Sequence, residues 1–264
     1  MKIGVFDSGL GGLLILKAIH KKLPQYDYTY LGDTKRLPYG NRSRATVYEW
    51  TKQAVEYLFK HNCKLIILAC NTASVQTLRR LQQEYLPRRY PGRRILGVVV
   101  PTLETAIEAG GKRVGIIGTK VTVQSKVYQK ELSKRSRTLK IVPKPTPLLV
   151  PIIEETNTKL LKPALQHYLK PLLAQNINSL ILACTHYAKL KYPIRAIAGK
   201  KIKVISQDEI IPAKLSNYLQ RHSEINSALS QHATIELLVT ELNPLYIKLA
   251  ARWFAGRKPK IVQL

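Results

Sequence analysis

A chain of 264 residues, 45% of them hydrophobic, can bury one large core or two smaller ones. Nowhere does it approach the about 18 uninterrupted apolar residues of a membrane span, and three cysteines without a Cys-x-x-Cys argue against a disulfide framework and suit a reducing compartment. The 43 Lys and Arg against 16 Asp and Glu give a formal charge of +27, which favours solubility and nonspecific attraction to nucleic acids.

The first residues, Met1-Lys2-Ile3-Gly4-Val5-Phe6-Asp7, put an acid where a signal peptide needs an apolar stretch, so a cytoplasmic protein with no membrane partner is expected. Residues 3–6 read as a short strand, and Asp7-Ser8-Gly9-Leu10-Gly11-Gly12 as the loop behind it. Leu13, Leu16 and Ile19 then recur at helical spacing. A glycine-rich turn from strand to helix is a ready anion site. It is no dinucleotide fingerprint, because GxGxxG would need glycine where Leu14 stands, and no GxxxxGK occurs.

Residues 28–31 read as a second strand that runs into Gly32-Asp33-Thr34. The stretch 36–43 carries Pro, Gly and Asn and is expected to be irregular, with Ser43 capping a helix whose inner face holds Val47, Trp50, Ala54 and Leu58. Cys63 reads as an ordinary helix-end residue. A strand over 65–70, a helix over 73–85 and a strand over 95–100 follow. Arg88, Arg89, Arg93 and Arg94 form one basic cluster and residues 112–144, where Glu131 is the only acid, another. Both read as solvated faces, since no zinc-finger spacing, stacking-aromatic motif or basic heptad helix accompanies them.

From residue 114 the pattern begins again. Val114-Gly115-Ile116-Ile117-Gly118-Thr119 mirrors the first strand at an offset of 111, and Ile181-Leu182-Ala183-Cys184 mirrors Ile67-Leu68-Ala69-Cys70 at an offset of 114. Two features repeating in order point to a duplicated unit. Strands alternating with helices predict an α/β fold of two pseudo-symmetric doubly wound domains with mainly parallel sheets and an active site in the cleft between them. Pro143, Pro145 and Pro147 forbid a central strand there, which leaves Glu154 on a loop or at a helix start. A helix over 163–173, the second cysteine strand, a short strand at 204–205, a helix over 213–222, a strand over 235–240 and a helix over 243–255 complete the chain. No linker separates the halves, so the chain is expected to cross between them more than once.

Each cysteine ends an apolar run, and ligands of open α/β sheets collect beyond the carboxyl ends of the strands. Two thiols facing one substrate carbon suit a reaction in which a proton leaves one face and another arrives on the opposite face, inverting the centre. A free thiol near about pKa 8.5 should need only modest tuning to act as a base at neutral pH. Asp7, Ser8, Glu154 and His186 are the neighbours available for tuning, and Asn71, Thr72 and Thr185 add neutral donors for carboxylates. Asp7 reads almost equally well as a helix cap. A metal site is disfavoured, because Cys184 and His186 lack further ligands at metal-binding spacing.

Seven segments carry a family resemblance over essentially the whole chain: Gly4-Val5-Phe6-Asp7-Ser8-Gly9-Leu10-Gly11-Gly12, Gly32-Asp33-Thr34, Pro38-Tyr39-Gly40, Ala69-Cys70-Asn71-Thr72-Ala73, Val114-Gly115-Ile116-Ile117-Gly118-Thr119, Leu148-Leu149-Val150-Pro151 and Ala183-Cys184-Thr185-His186-Tyr187. The chain resembles the glutamate racemases of the cofactor-independent aspartate/glutamate racemase superfamily. The resemblance implies interconversion of L- and D-glutamate for peptidoglycan synthesis, without cofactor or metal, by a homodimer. By matching position Cys70 would take the α-proton of D-glutamate and Cys184 that of L-glutamate. Asp7 would assist the first, and Glu154 and His186 the second. Ser8, Pro38, Tyr39, Gly40, Asn71, Thr72, Thr119, Thr122 and Thr185 would contact substrate. Residues 1–97 with 208–264 would form one domain and 98–207 the other. The chain departs from the family's Ser-Gly-Asp-like element at Ser206-Gln207-Asp208, from a common Tyr-Pro at Tyr187-Ala188, and from a frequent cysteine at Thr146. It also starts at the first strand, without the extension of members activated by a cell-wall precursor, so no such activation is expected. An aspartate or broader amino-acid racemase is the near alternative, and a DNA- or gyrase-binding protein the alternative of another class.

Overall fold

The computed structural model describes residues 1–110 and 112–264. Ten strands form two sheets: β1 (Lys2–Asp7), β2 (Tyr28–Gly32), β3 (Cys63–Leu68), β4 (Arg94–Gly97), β5 (Arg113–Gly118), β6 (Lys140–Pro145), β7 (Ser179–Ala183), β8 (Lys203–Ser206), β9 (Ile235–Val239) and β10 (Lys260–Ile261). The first sheet runs β10-β9-β2-β1-β3-β4 and the second β6-β5-β7-β8. Among the described residues every pairing is parallel. The repeat expected from the sequence is therefore a repeat of topology, since β2-β1-β3-β4 and β6-β5-β7-β8 are the same order.

Parallel strands need crossover helices on both faces, and alternate side chains divide each sheet's core in two. Ile3 and Val5 pack with Leu13 and Leu16 on one face of the first sheet, while Phe6, Ile66, Leu68 and the helix residues Val55 and Leu58 fill the other. Around the second sheet Leu180 and Leu182 pack with Leu165 and Leu169, and Val114, Ile116 and Ile181 with Leu103 and Tyr128. The chain crosses between sheets twice, through the helix Val99–Glu108 after β4 and the helix Gln207–Arg221 after β8.

Four local expectations change. Cys63 is the first residue of β3 and fully buried, because the preceding helix ends at Lys60 and Asn62 turns the chain at φ 64°. The apolar run to position 100 is not all strand: β4 stops at Gly97, and Val99 opens a helix that accepts Pro101 in its first turn, where no N–H is needed. Pro143 and Pro145 do lie in a strand, but β6 is an edge, so their missing N–H groups cost no ladder bond. Glu154 is the last residue of the helix Leu149–Glu154 rather than near its start. Among the described residues no helix is long and apolar enough to cross a membrane.

Candidate active site

Both cysteines sit just beyond the carboxyl ends of corresponding strands, Cys70 after β3 and Cys184 after β7, and both line one cleft. Around them stand Ser8, Pro38, Tyr39, Gly40, Asn71, Thr72, Thr119, Glu154, Thr185 and His186, so twelve of the fourteen residues singled out in the sequence meet there. Leu37, Val150 and Ala183 complete the lining as apolar walls; Val150 and Ala183 lie in the segments that carry the resemblance but were not singled out as site residues, and Leu37 was not singled out either. The space between these side chains is about 40 Å³, room for a few waters at about 15 Å³ each. A second cavity of about 190 Å³ adjoins it and shares Leu37, Pro38, Gly40, Thr119, Val150 and Glu154.

Asp7 and Thr122 lie behind the lining. Asp7 is fully buried and accepts from the Gly9 N–H at 2.7 Å and from the Thr185 hydroxyl at 3.0 Å. The glycine-rich turn thus gives the Gly9 N–H to the chain's own carboxylate, while Ser8 of the same turn lines the cleft. Its glycines serve close approach: a Cβ on Gly11 would collide with Thr185 Oγ1 and stand 2.6 Å from the His186 backbone nitrogen. Thr122 accepts from Thr119 Oγ1 at 2.9 Å and lies 3.3 Å from Thr72 Oγ1, so it supports two hydroxyls that do reach the cleft.

The two thiols have different surroundings. Cys70 caps the helix Asn71–Arg80, its sulfur taking the Ala73 N–H at 3.5 Å, and Ser8 Oγ lies 3.3 Å away. Burial, reinforced by the charge of Asp7, nevertheless pushes its thiol up to about 12. Tuning is therefore not modest, and Cys70 carries its proton at neutral pH. Burial also raises Asp7 to about 6, against the opposing pull of His186 and the bonds from Gly9 and Thr185.

Cys184 Sγ lies 3.8 Å from His186 Nδ1, and His186 Nε2 lies 2.9 Å from Glu154 Oε1. Burial works against a charge on this imidazole, but the bonds to Cys184 and Glu154 outweigh it and raise His186 to about 10. His186 thus stands between thiol and carboxylate with its charged form favoured. Among the described residues it is the only cation lining the cleft, so carboxylates would be held there mainly by neutral hydroxyl, amide and backbone donors.

Tyr39 is held by a hydrogen bond from its hydroxyl to the buried Asp33 carboxylate, which also takes Arg36 Nε at 2.6 Å and Thr240 Oγ1 at 2.9 Å. Thr240 follows β9, so the chain's last segment supports the cleft wall. Asp33 was visible in the sequence only as part of Gly32-Asp33-Thr34. Among the described residues no group of three or more His, Cys, Asp and Glu is placed to hold a metal ion.

Comparison with known proteins agrees with this architecture. The glutamate racemase of Chlorobaculum parvum is 35% identical over 99% of this chain and 95% of its own length. Among solved structures, glutamate racemase isoform RacE1 of Bacillus anthracis superposes with a TM-score of 0.90 at 31% identity, covering 100% of this chain and 97% of that one. The glutamate racemase of Francisella tularensis in complex with D-glutamate gives 0.86 at 28% identity, covering 99% and 97%. The model of the Asp/Glu/Hydantoin racemase family matches residues 14–210, and the chain belongs to that family of isomerases.

Proposed function

We propose that this enzyme racemises glutamate by two-base proton transfer between Cys70 and Cys184, forming D-glutamate for peptidoglycan. The observation that carries the reading is the pair of buried thiols lining one cleft, each backed by its own carboxylate, Asp7 beside Cys70 and Glu154 through His186 behind Cys184. Glutamate as substrate is supported by the relatives named above. On the same reading the enzyme is a cytoplasmic homodimer without cofactor, with residues 1–97 and 208–264 as one domain and 98–207 as the other; that rests on the family resemblance.

In the L-to-D direction Cys184 takes the α-proton. The Cα–H bond breaks, its electron pair passes into a carbanion delocalised over the carboxylate, and an S–H bond forms. Cys70 then gives its proton to the opposite face. A thiol raised to about 12 holds that proton until a strongly basic carbon appears, and the His186 imidazolium supplies the positive charge that a thiolate at Cys184 requires. Asn71 and Thr72 offer side-chain donors to the substrate without neutralising either base, whereas the hydroxyls of Thr119 and Thr185 already donate to Thr122 and Asp7.

Incubation of the purified protein with L- or D-glutamate in deuterated water, followed by optical rotation, tests the assignment. Wild type should lose rotation from either enantiomer and incorporate deuterium at Cα, and Cys70→Ala or Cys184→Ala should abolish racemisation. Undiminished racemisation in either variant would sink the two-base reading.

A further inference from the structure

Beside the cleft lies a buried cluster of neutral polar side chains that joins both crossings of the chain. Gln207 opens the helix after β8, at the return crossing, and Thr102 lies in the helix after β4, at the outward one. Tyr128 belongs to the helix Val127–Ser133 of the second half, and Asn71 opens the helix that Cys70 caps. All four are at most 3% exposed. Asn71 Nδ2 donates to Gln207 Oε1 at 2.7 Å, and Gln207 Nε2 donates back to Asn71 Oδ1 at 3.0 Å. Tyr128 donates to the same Asn71 oxygen at 2.8 Å. Gln207 Nε2 further reaches Thr102 Oγ1 at 3.3 Å and Tyr128 Oη at 3.4 Å.

We propose that Gln207 is a positioning residue that latches the two halves at their crossings and turns Asn71 so that it meets the substrate as a hydrogen-bond donor. The inference rests on the racemase reading above. Thr102 spends its own hydrogen on Val98 O at 2.6 Å, so toward Gln207 it can only accept. Tyr128 and Gln207 together occupy both lone pairs of Asn71 Oδ1, and Gln207 Oε1 takes one of its two N–H groups. What Asn71 has left for the cleft it lines is a single N–H. Such a group suits a carboxylate oxygen and not an ammonium. Without the Gln207 amide, Asn71 loses the acceptor of one N–H and can turn over to present its carbonyl.

The test uses the full chain with Gln207→Leu, Gln207→Gly, Asn71→Leu and the double variant Asn71→Leu/Gln207→Leu. Wild-type racemisation of glutamate is measured first. Gln207→Leu and Gln207→Gly should each raise KM for both enantiomers about tenfold with a smaller change in kcat, since the lost contact acts on bound substrate and transition state alike. Adding Gln207→Leu to Asn71→Leu should cost little more than Asn71→Leu alone, because one residue acts through the other. Wild-type KM in both single variants, or additive losses in the double, overturns the latch. Amide hydrogen exchange of the substrate-free protein gives a readout independent of turnover: both Gln207 variants should exchange faster around residues 71–74 and 206–210. Unchanged exchange there overturns the latch even if wild type proves inactive on glutamate, whereas faster exchange in an inactive protein supports the latch and overturns the glutamate reading alone.

Discussion

The two halves share one strand order, yet they hold their thiols in opposite electrostatic settings. In the first, Cys70 stands at a helix N-terminus beside Ser8, with Asp7 behind, and burial and that negative charge keep it protonated. In the second, Cys184 faces an imidazolium backed by Glu154. Topology therefore governs where a thiol is delivered, and the side chains that close around it, Ser8 and Asp7 in one half and His186 and Glu154 in the other, govern its surroundings. The same contrast holds at the sheet edges. β2 is flanked by β1 and β9 and contains no proline, whereas its counterpart β6 has β5 on one side only and carries two.

Replacing one thiol at a time breaks this comparison most severely. Cys70→Ser and Cys184→Ser should each lower the racemisation rate at least about 10³-fold, since each removes a proton-transfer group. Deuterium incorporation that survives should be confined to L-glutamate in Cys70→Ser and to D-glutamate in Cys184→Ser. Exchange of the opposite enantiomer would reverse the assignment of the two halves.

Asp7→Asn probes the negative charge behind Cys70. The folded-state pKa of Asp7 is raised from 3.8 to about 6, so the native fold favours the neutral acid. The resulting penalty is absent below about pH 3.8, grows between there and about 6, and is complete above, where it amounts to about 3 kcal/mol. The variant should therefore melt higher than wild type at pH 8 and alike below pH 4, as thermal unfolding monitored by circular dichroism would show. A melting difference that does not vary with pH would mean that Asp7 is not the buried acid described.

The smallest effect is expected at the second sheet's edge. Pro143→Val in β6 should change stability by no more than about 0.5 kcal/mol in denaturant unfolding, because an edge strand loses and gains no ladder bond there. A loss of several kcal/mol would show that β6 is covered by a partner rather than free.

Much of this was legible in the residues themselves. Short apolar runs ending in Ala-Cys marked β3 and β7, the offset between them announced the duplicated topology, and small polar residues after each cysteine marked the cleft. Asp7 was legible as an acid but not as a buried one raised to about 6, and Thr122 as a hydroxyl but not as one set behind the lining. Pro143 and Pro145 ruled out a central strand, yet whether the alternative was a loop or an edge depended on β9 pairing with β2 and leaving β6 without a second neighbour.

By itself the sequence determined the alternation of strands and helices, the two thiols and their carboxylate companions, because periodicity and residue chemistry are local properties. Only the tertiary structure decided that burial raises Cys70, that Cys184 and Glu154 raise His186, and that Asn71, Gln207, Thr102 and Tyr128 form one cluster. The reason is physical: desolvation and hydrogen-bond pairing depend on which distant segments close around a group, and residues 71 and 207 meet only when both crossings of the chain are in place.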